Sequence, residues 1–329
     1  MRPNLRLHLR PIAGLVSGAV LVAACSSAAT PSPASSASAA APSPGDSRST
    51  VALPSPVDAG APITVLGTED FYGDLLGEIG GSRVKATSLL NDPNADPHAF
   101  EASPSAAAAV ADARLVIVNG LGYDDFVQHL MAASPSSNRV VINVQQLLGL
   151  ATDANAHIWY EPDTMPRLAA AAQAALARLE PANAAYFAAG ERAYVASLAP
   201  LTARIAELKA KYAGTPVAFT EPVAGYLATA IGLQVLTPEG FQRAVENGTD
   251  PPAADIATER DLLTGHQVRV LLFNSQVITP LTTQIRDLAV TSGVPVVGVA
   301  ETLPSQYHTY VEWQLAQMDA LAQALAKGA

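Results

Sequence analysis

Four side chains in this 329-residue chain stand where chemistry could be done. His98 lies in Asp96-Pro97-His98-Ala99-Phe100-Glu101, and His157 in Asn155-Ala156-His157-Ile158-Trp159-Tyr160. Glu221 closes the apolar run ending in Phe219-Thr220 and is followed by Pro222. Glu301 follows Val299-Ala300 directly. Each falls after a strand-like segment or the stretch that continues it, and before a helix. That is where open α/β sheets bind their ligands, outside the carboxyl ends of the strands. Imidazole nitrogens and carboxylate oxygens are also the donors that suit divalent transition metals. Taken singly, each residue fits a plainer role equally. His98 can be a loop histidine beside a capping Asp or Ser, and His157 a packed structural one. Glu221 and Glu301 can be first-turn acids favoured by a helix dipole. The remaining histidines of the mature chain, His129, His266 and His308, read as structural or surface residues.

The elements that must position these groups follow from hydrophobic patterning. Strands are expected at Ile63–Leu66, Val84–Leu89, Leu115–Val118 and Val140–Val144, with an amphipathic stretch near Asp70–Ile79. Asn119-Gly120 supplies a turn signal after the third. From Thr164 to Tyr212 the chain is rich in the helix formers Ala, Leu, Glu, Arg and Lys. Glu180-Pro181 divides this stretch into helices over 164–179 and 181–212. The second would run about 48 Å and be kinked by Pro200, which deletes a backbone donor. Strands resume at Pro216–Thr220, Leu233–Leu236, Val268–Phe273 and Pro295–Val299, with helices near 223–231, 254–264, 280–291 and 306–327. Short apolar strands separated by helices indicate parallel α/β architecture. The halves look alike, with four strand–helix units on each side of a long helix.

The N-terminus carries Arg2, Arg6 and Arg10 before an apolar run from Ile12 to Ala24, which reads as a cleavable signal over residues 1–24. The run is shorter than the roughly 20 apolar residues of a membrane span. Cys25, the one cysteine, closes Val22-Ala23-Ala24-Cys25, which resembles a bacterial lipobox with Cys25 as the lipidated residue. A lone cysteine excludes a disulfide framework and cysteine-based zinc sites. Residues 25–60, the lipidated cysteine and a Ser/Ala/Pro/Thr stretch, have too few large apolar groups to pack and read as a flexible tether. Losing the signal removes three arginines and no acid, taking the formal charge from −10 to −13. So acidic a surface disfavours nucleic acid, which needs a basic footprint.

The motifs then resemble a known family. Asp-Pro-His-Ala-Phe-Glu at 96–101, Asn-Gly-Leu-Gly-Tyr at 119–123, His-Ile-Trp at 157–159, Glu-Pro-Val-Ala-Gly-Tyr-Leu at 221–227 and Glu-Thr-Leu-Pro at 301–304 occur in the order and at separations similar to those of the manganese/zinc/iron cluster of ABC-importer solute-binding proteins. The resemblance extends over about residues 61–327. It implies two similar α/β lobes, each a mainly parallel four-stranded sheet flanked by helices, joined by one long connecting helix. In this chain those would be an N-terminal lobe at 61–180, the connecting helix at 181–213 and a C-terminal lobe at 214–329. It implies a metal held between the lobes by His98, His157, Glu221 and Glu301. The protein would be a monomer on the extracytoplasmic face of the cell membrane, lipid-anchored through Cys25, serving an ABC permease and its ATPase. Two departures stand out. Ala156 occupies a position where an acid or proline commonly precedes the second histidine, and the His/Asp-rich loop of many zinc-specific members is missing.

Two imidazoles and two carboxylates neutralise a dication, and the donor mixture suits Mn²⁺, Fe²⁺ or Zn²⁺. Carboxylates can chelate through both oxygens and raise the coordination number, which favours Mn²⁺. The ordinary affinity order favours Zn²⁺. Manganese is the expected cargo, with zinc a close second. Two classes compete with transport: a metal-dependent hydrolase and a surface adhesin. The chain has no His-Glu-x-x-His or Gly-x-Ser-x-Gly motif and no adhesive repeat, and four protein ligands leave no open position for a hydrolytic water.

Overall fold

A computed structural model of the chain describes residues 54–327. The signal segment, Cys25 and most of the expected tether lie outside the described residues. The first half runs β1 (Ile63–Glu69), α1 (Asp70–Gly80), β2 (Val84–Leu90), α2 (Pro104–Asp112), β3 (Leu115–Val118), α3 (Phe126–Ala133), β4 (Val140–Asn143), α4 (Val144–Leu148) and α5 (Thr164–Leu179). All four strands pair parallel in the order β2-β1-β3-β4, with Val65 opposite both Ala86 and Leu115 and Val116 opposite Val141. Every residue of Leu115–Val118 is buried, as a strand covered on both faces requires. β1 sends its chain to β2 on one side and neighbours β3 on the other. Its carboxyl end therefore opens onto the switch point where α/β sheets form clefts.

The helical stretch expected over 181–212 is a 3-10 turn at Pro181–Asn183, then α6 (Ala184–Ser197) and α7 (Ala199–Tyr212). The two meet at Leu198, whose backbone stays in the right-handed helical region (φ −77°, ψ −12°). Pro200 has no N–H to return to the Ala196 carbonyl, so the ladder breaks where its ring enters. The second half continues with β5 (Pro216–Phe219), α8 (Gly225–Ile231), β6 (Gln234–Val235), α9 (Glu239–Glu246), α10 (Ala253–Thr264), β7 (Leu271–Asn274), α11 (Pro280–Thr291), β8 (Val296–Val299) and α12 (Tyr310–Lys327). Its sheet has the order β6-β5-β7-β8, again all parallel, with Ala218 opposite Leu271 and Leu272 opposite Val297. The fold is thus the two-lobed α/β arrangement the motifs implied. None of the described helices is long and apolar enough to cross a membrane.

Packing shows how the lobes are joined. One face of each sheet has its own core: Leu66, Val110, Val116 and Val127 in the first, and Phe241, Leu263, Leu271 and Ile285 in the second. The other faces share a single core with the central helices, which includes Phe71, Trp159, Phe187, Phe219 and Trp313. The Phe71 ring lies 4.8 Å from Trp159 and 6.0 Å from Trp313, centroid to centroid. Phe71→Ala would open a cavity there at a cost of about 3–5 kcal/mol. Polar ties reinforce this shared region. Both Asp70 oxygens accept from Leu303 N (3.0 and 2.9 Å), and Asp74 Oδ2 accepts from Tyr310 N (3.0 Å). Tyr310 Oη donates to Trp159 O (2.6 Å), and Tyr160 Oη to Ala300 O (2.7 Å). At the start of the described chain, Val57 exchanges two hydrogen bonds with the Asn183 side chain, and Arg83 Nη1 donates to Gly60 O. The last residues of the expected tether are therefore pinned to Arg83 of the first lobe and to Asn183 at the start of the helical segment that follows it.

Candidate metal centre

His98 sits in a 3-10 turn, Pro97–Ala99, in the loop after β2. Pro97 fixes the entry to the turn, and Asp96 Oδ1 accepts from His98 N (2.8 Å), so the acid caps the turn that carries the imidazole. His157 lies in the loop between α4 and α5 and is fully buried. Asn155 Oδ1 accepts from His157 N (3.0 Å) and lies 2.7 Å from Nδ1. An amide oxygen can only accept, so Nδ1 carries a proton, and Nε2 is the ring nitrogen turned to the cleft. Asn119 Nδ2, at the end of β3, donates to Ala156 O (2.9 Å), and Tyr72 Oη in turn donates to Asn119 Oδ1 (2.8 Å). The support that Ala156 cannot give therefore comes from Asn155, one residue earlier. Trp159 packs edge-on to the His157 ring at 5.2 Å and walls off solvent. Tyr160 turns away to Ala300.

Glu301 follows β8 and is fully buried. The next helix begins only at Tyr310, so the first-turn role open to Glu301 in the sequence is not the one it has. Its Oε2 lies 3.1 Å from His157 Nε2 and 3.3 Å from His98 Nε2, and accepts from Tyr123 Oη (2.9 Å). Glu221, beyond β5, is 1% exposed. Its Oε2 accepts from Asn274 Nδ2 (2.8 Å), and the same amide nitrogen donates to Glu301 Oε1 (2.6 Å). Glu221 Oε1 is buried with no hydrogen-bond partner. Gln276 braces this region: its Oε1 accepts from Glu301 N and Thr302 N, and its Nε2 donates to Thr302 Oγ1 (2.8 Å) and across to Ala95 O (3.0 Å) in the His98 loop.

Among the described residues, His98, His157 and Glu301 each offer a ligand atom, and these atoms all lie within 4.8 Å of one another. Glu221 stands beside this group, joined to Glu301 through Asn274. His98 is the one exposed member, with 26% of its side chain open to solvent. His129, His266 and His308 are exposed and lie outside the group.

The acidic and imidazole side chains of the site shift one another's protonation. Burial pushes the Glu221 carboxyl up, the neighbouring Glu301 charge adds to this, and the Asn274 hydrogen bond offsets it only in part, leaving a pKa of about 8. Burial works against a charge on His98. The hydrogen bond to Glu301 and the charges of Glu301, Asp96 and Glu221 outweigh it and raise the pKa to about 9. Burial likewise opposes ionisation of Glu301, yet its bonds to His157 and His98 hold it below the usual carboxylate range. Glu221 and His98 therefore hold protons at neutral pH that a bound dication would displace. Buried, convergent nitrogen and oxygen donors with one orphaned carboxylate oxygen can hold such an ion. The sequence reading missed Tyr123, Asn155, Asn274, Gln276 and Glu246, whose Oε1 comes within 3.7 Å of His157 Nδ1. Asn274 ends an apolar strand as Glu221 and Glu301 do, and that signal could have found it.

The fold has solved counterparts. Over 82% of this chain and 100% of the other, the structure superposes on a crystal structure of ZnuA with a TM-score of 0.66 at 20% identity. It matches FpvC of Pseudomonas aeruginosa in complex with Mn²⁺ over 82% and 100% of the two chains, with a TM-score of 0.68 at 21% identity. It matches the periplasmic zinc-binding protein TroA of Treponema pallidum over 81% and 99%, with a TM-score of 0.69 at 19% identity. At these identities the likeness concerns the fold. The family model described as the periplasmic zinc-uptake complex component A, ZnuA, matches residues 65–324. With that match covering most of the chain, the protein belongs to the ZnuA family of periplasmic metal-binding proteins, the solute-binding components of metal ABC transporters.

Proposed function

We propose that this protein captures a divalent transition metal, Mn²⁺ or Zn²⁺ with Fe²⁺ also accommodated, and delivers it to an ABC permease without catalysing a reaction. In this reading His98, His157, Glu221 and Glu301 are the ligands. The first two come from an N-terminal lobe at 61–180 and the last two from a C-terminal lobe at 214–329, with the helical segment 181–213 between them. One observation carries the reading: imidazole nitrogens from one lobe meet a carboxylate oxygen from the other, His98 Nε2 at 3.3 Å and His157 Nε2 at 3.1 Å from Glu301 Oε2. Apposed donors of this kind draw together around a shared cation, and two carboxylates make the complex with a dication neutral. A hydrolase would need an open coordination position and a general base beside it. In this reading the buried acid left over, Glu221, serves as the fourth ligand and not as a base. We further propose that the protein acts as a monomer, anchored at the extracytoplasmic face of the membrane through lipidated Cys25.

Elemental analysis of the protein purified from its native host, as wild type and as Glu221→His, tests this reading. The wild type should carry about one equivalent of Mn or Zn, and the variant should shift toward Zn because a third imidazole replaces a carboxylate. Recovery of a wild type that neither carries nor takes up either ion would refute it.

A further inference from the structure

We propose that Asn274 sets the choice of metal by limiting each glutamate to one coordinating oxygen, which disposes the site toward a four-coordinate ion, zinc, over manganese. The proposal rests on the reading of Glu221 and Glu301 as ligands. The orientation of the amide is fixed by its neighbours. Asn274 Oδ1 accepts from Gln276 N (3.0 Å), a backbone donor that only an oxygen can satisfy, so the amino group must be the end that faces the carboxylates. Its two hydrogens have one target each, Glu221 Oε2 at 2.8 Å and Glu301 Oε1 at 2.6 Å. Asn274 itself has no room to swing. It is 1% exposed, it ends β7, and its own N–H donates to Thr220 Oγ1 (2.9 Å), one residue beyond the neighbouring strand β5.

Two carboxylates offer four oxygens, and the amide engages one on each. What remains is Glu301 Oε2, which faces both imidazoles and also accepts from Tyr123 Oη (2.9 Å), and Glu221 Oε1, which is buried with no partner. With His98 Nε2 and His157 Nε2 the set has four donors, two nitrogen and two oxygen. Zn²⁺ is satisfied by four such ligands in a tetrahedron. Mn²⁺ gains from further oxygens in a higher coordination number, and the second oxygen of each carboxylate is the nearest source. A carboxylate oxygen has two lone pairs and can accept one hydrogen bond while it coordinates, as Glu301 Oε2 would with Tyr123, so the amide acts by orientation: turning either glutamate to chelate through both oxygens would pull its second oxygen off the line of a hydrogen from a buried amide with no other acceptor. The expectation from composition alone, that two chelating glutamates favour manganese, is thus reversed by a neutral side chain that is itself no ligand.

The test compares wild type, Asn274→Ala and Asn274→Ser. The serine keeps an acceptor near Gln276 N but has a single hydrogen and can serve one carboxylate at most. Zn²⁺ and Mn²⁺ affinities are measured by chelator competition, and the visible spectrum of the Co²⁺-loaded protein reports coordination number, because four-coordinate Co²⁺ absorbs far more strongly than five- or six-coordinate Co²⁺. Far-UV circular dichroism and the metal-free melting temperature check that the variants fold. We expect an intense, four-coordinate Co²⁺ spectrum for the wild type. In the variants the ratio of Zn²⁺ to Mn²⁺ affinity should fall by at least about tenfold, the scale on which partners that orient metal ligands act, and the Co²⁺ band should weaken. A five- or six-coordinate Co²⁺ spectrum in the wild type overturns the proposal whatever the variants do. So does an unchanged affinity ratio in either folded variant. A wild type that binds no ion, or that binds as well after His157→Ala or Glu301→Ala, would instead overturn the ligand assignment on which the proposal stands.

Discussion

Gln276→Ala separates what holds the second lobe together from what holds the cleft shut. Three of the bonds made by the Gln276 side chain are internal to the second lobe: those with Glu301 N, Thr302 N and Thr302 Oγ1. They involve no residue of the first lobe. The fourth, from Nε2 to Ala95 O at 3.0 Å, reaches the loop that carries His98 and exists only when that loop is seated. A neutral hydrogen bond contributes about 0.5–1.5 kcal/mol net, and each buried N–H stranded by a truncation costs about 1–3 kcal/mol. Losing the crossing bond should therefore weaken metal binding by about 2- to 12-fold, at about 1.4 kcal/mol per tenfold. The stranded N–H groups of Glu301 and Thr302 should lower the melting temperature of the metal-free protein independently of that.

Chelator competition gives the first quantity and thermal melting without metal the second. If affinity holds within twofold while the melting temperature falls, Gln276 is an internal brace and the crossing bond contributes nothing to capture. A loss beyond about a hundredfold would mean that the Glu301 backbone moved and that the ligand itself was displaced.

Three other outcomes follow from the geometry. Glu221 rises from 4.5 to about 8 and His98 from 6.5 to about 9, so between pH 4.5 and 9 these two groups hold more protons in the folded, metal-free chain than in the unfolded one, and the stability they contribute is lost as pH rises through that window. Metal binding must expel the same protons, so the metal-induced rise in melting temperature should be larger at pH 8 than at pH 6, and equal shifts would contradict the assignment. Asn155→Ala removes the partner of His157 Nδ1 (2.7 Å) and the bond to Pro222 O (2.7 Å), and affinity by chelator competition should drop about 10- to 100-fold; an unchanged value would refute the orienting role. Gly190→Ala places a methyl group 2.3 Å from Ile79 O, where α6 crosses the end of α1, and overpacking of about 1–3 kcal/mol should outweigh the helix-propensity gain of about 1 kcal/mol, so that a melting temperature at or above wild type would be the contrary result.

Parallel strands buried on both faces announce themselves as apolar runs, so β3 was legible to the residue, and the helices α5 and α11 likewise have the bounds expected of them. β6 shrank from an expected Leu233–Leu236 to Gln234–Val235 because Gly232 turns into the left-handed region just before it (φ 79°). The helix α9 was not expected. It is eight residues long, and its buried apolar pair, Phe241 and Val245 at i and i+4, is a short signal among charged neighbours. The last helix starts at Tyr310 instead of 306, since the preceding turn is held by Asp70 and Asp74 from the other lobe. The site divides the same way. Ionisable residues at strand ends can be read as candidates from one chain. Asn274 and Gln276 carry no charge, and their roles depend on partners 53 and 181 residues away, Glu221 and Ala95.

The two lobes share one apolar core, and segments joined by a large hydrophobic interface do not swing freely. Metal exchange therefore has to use the parts of the site outside that core. His157 is tied to Asn155 and lies beneath Trp159, and Glu301 is tied to Tyr123, Asn274 and Gln276. The His98 loop is held across the cleft by Gln276 at Ala95 and by a long bond from Thr302 Oγ1 to Asp92 O (3.5 Å), and its imidazole is the exposed one. The ion should enter and leave past His98. His98→Ala should then retain a weaker one-to-one site with faster release, measured by stopped-flow transfer to a chelator, whereas His157→Ala should lose stoichiometric binding. If His157→Ala releases the ion faster but still binds it while His98→Ala abolishes binding, exchange runs through the buried wall and His98 is the anchor of the site, not its gate.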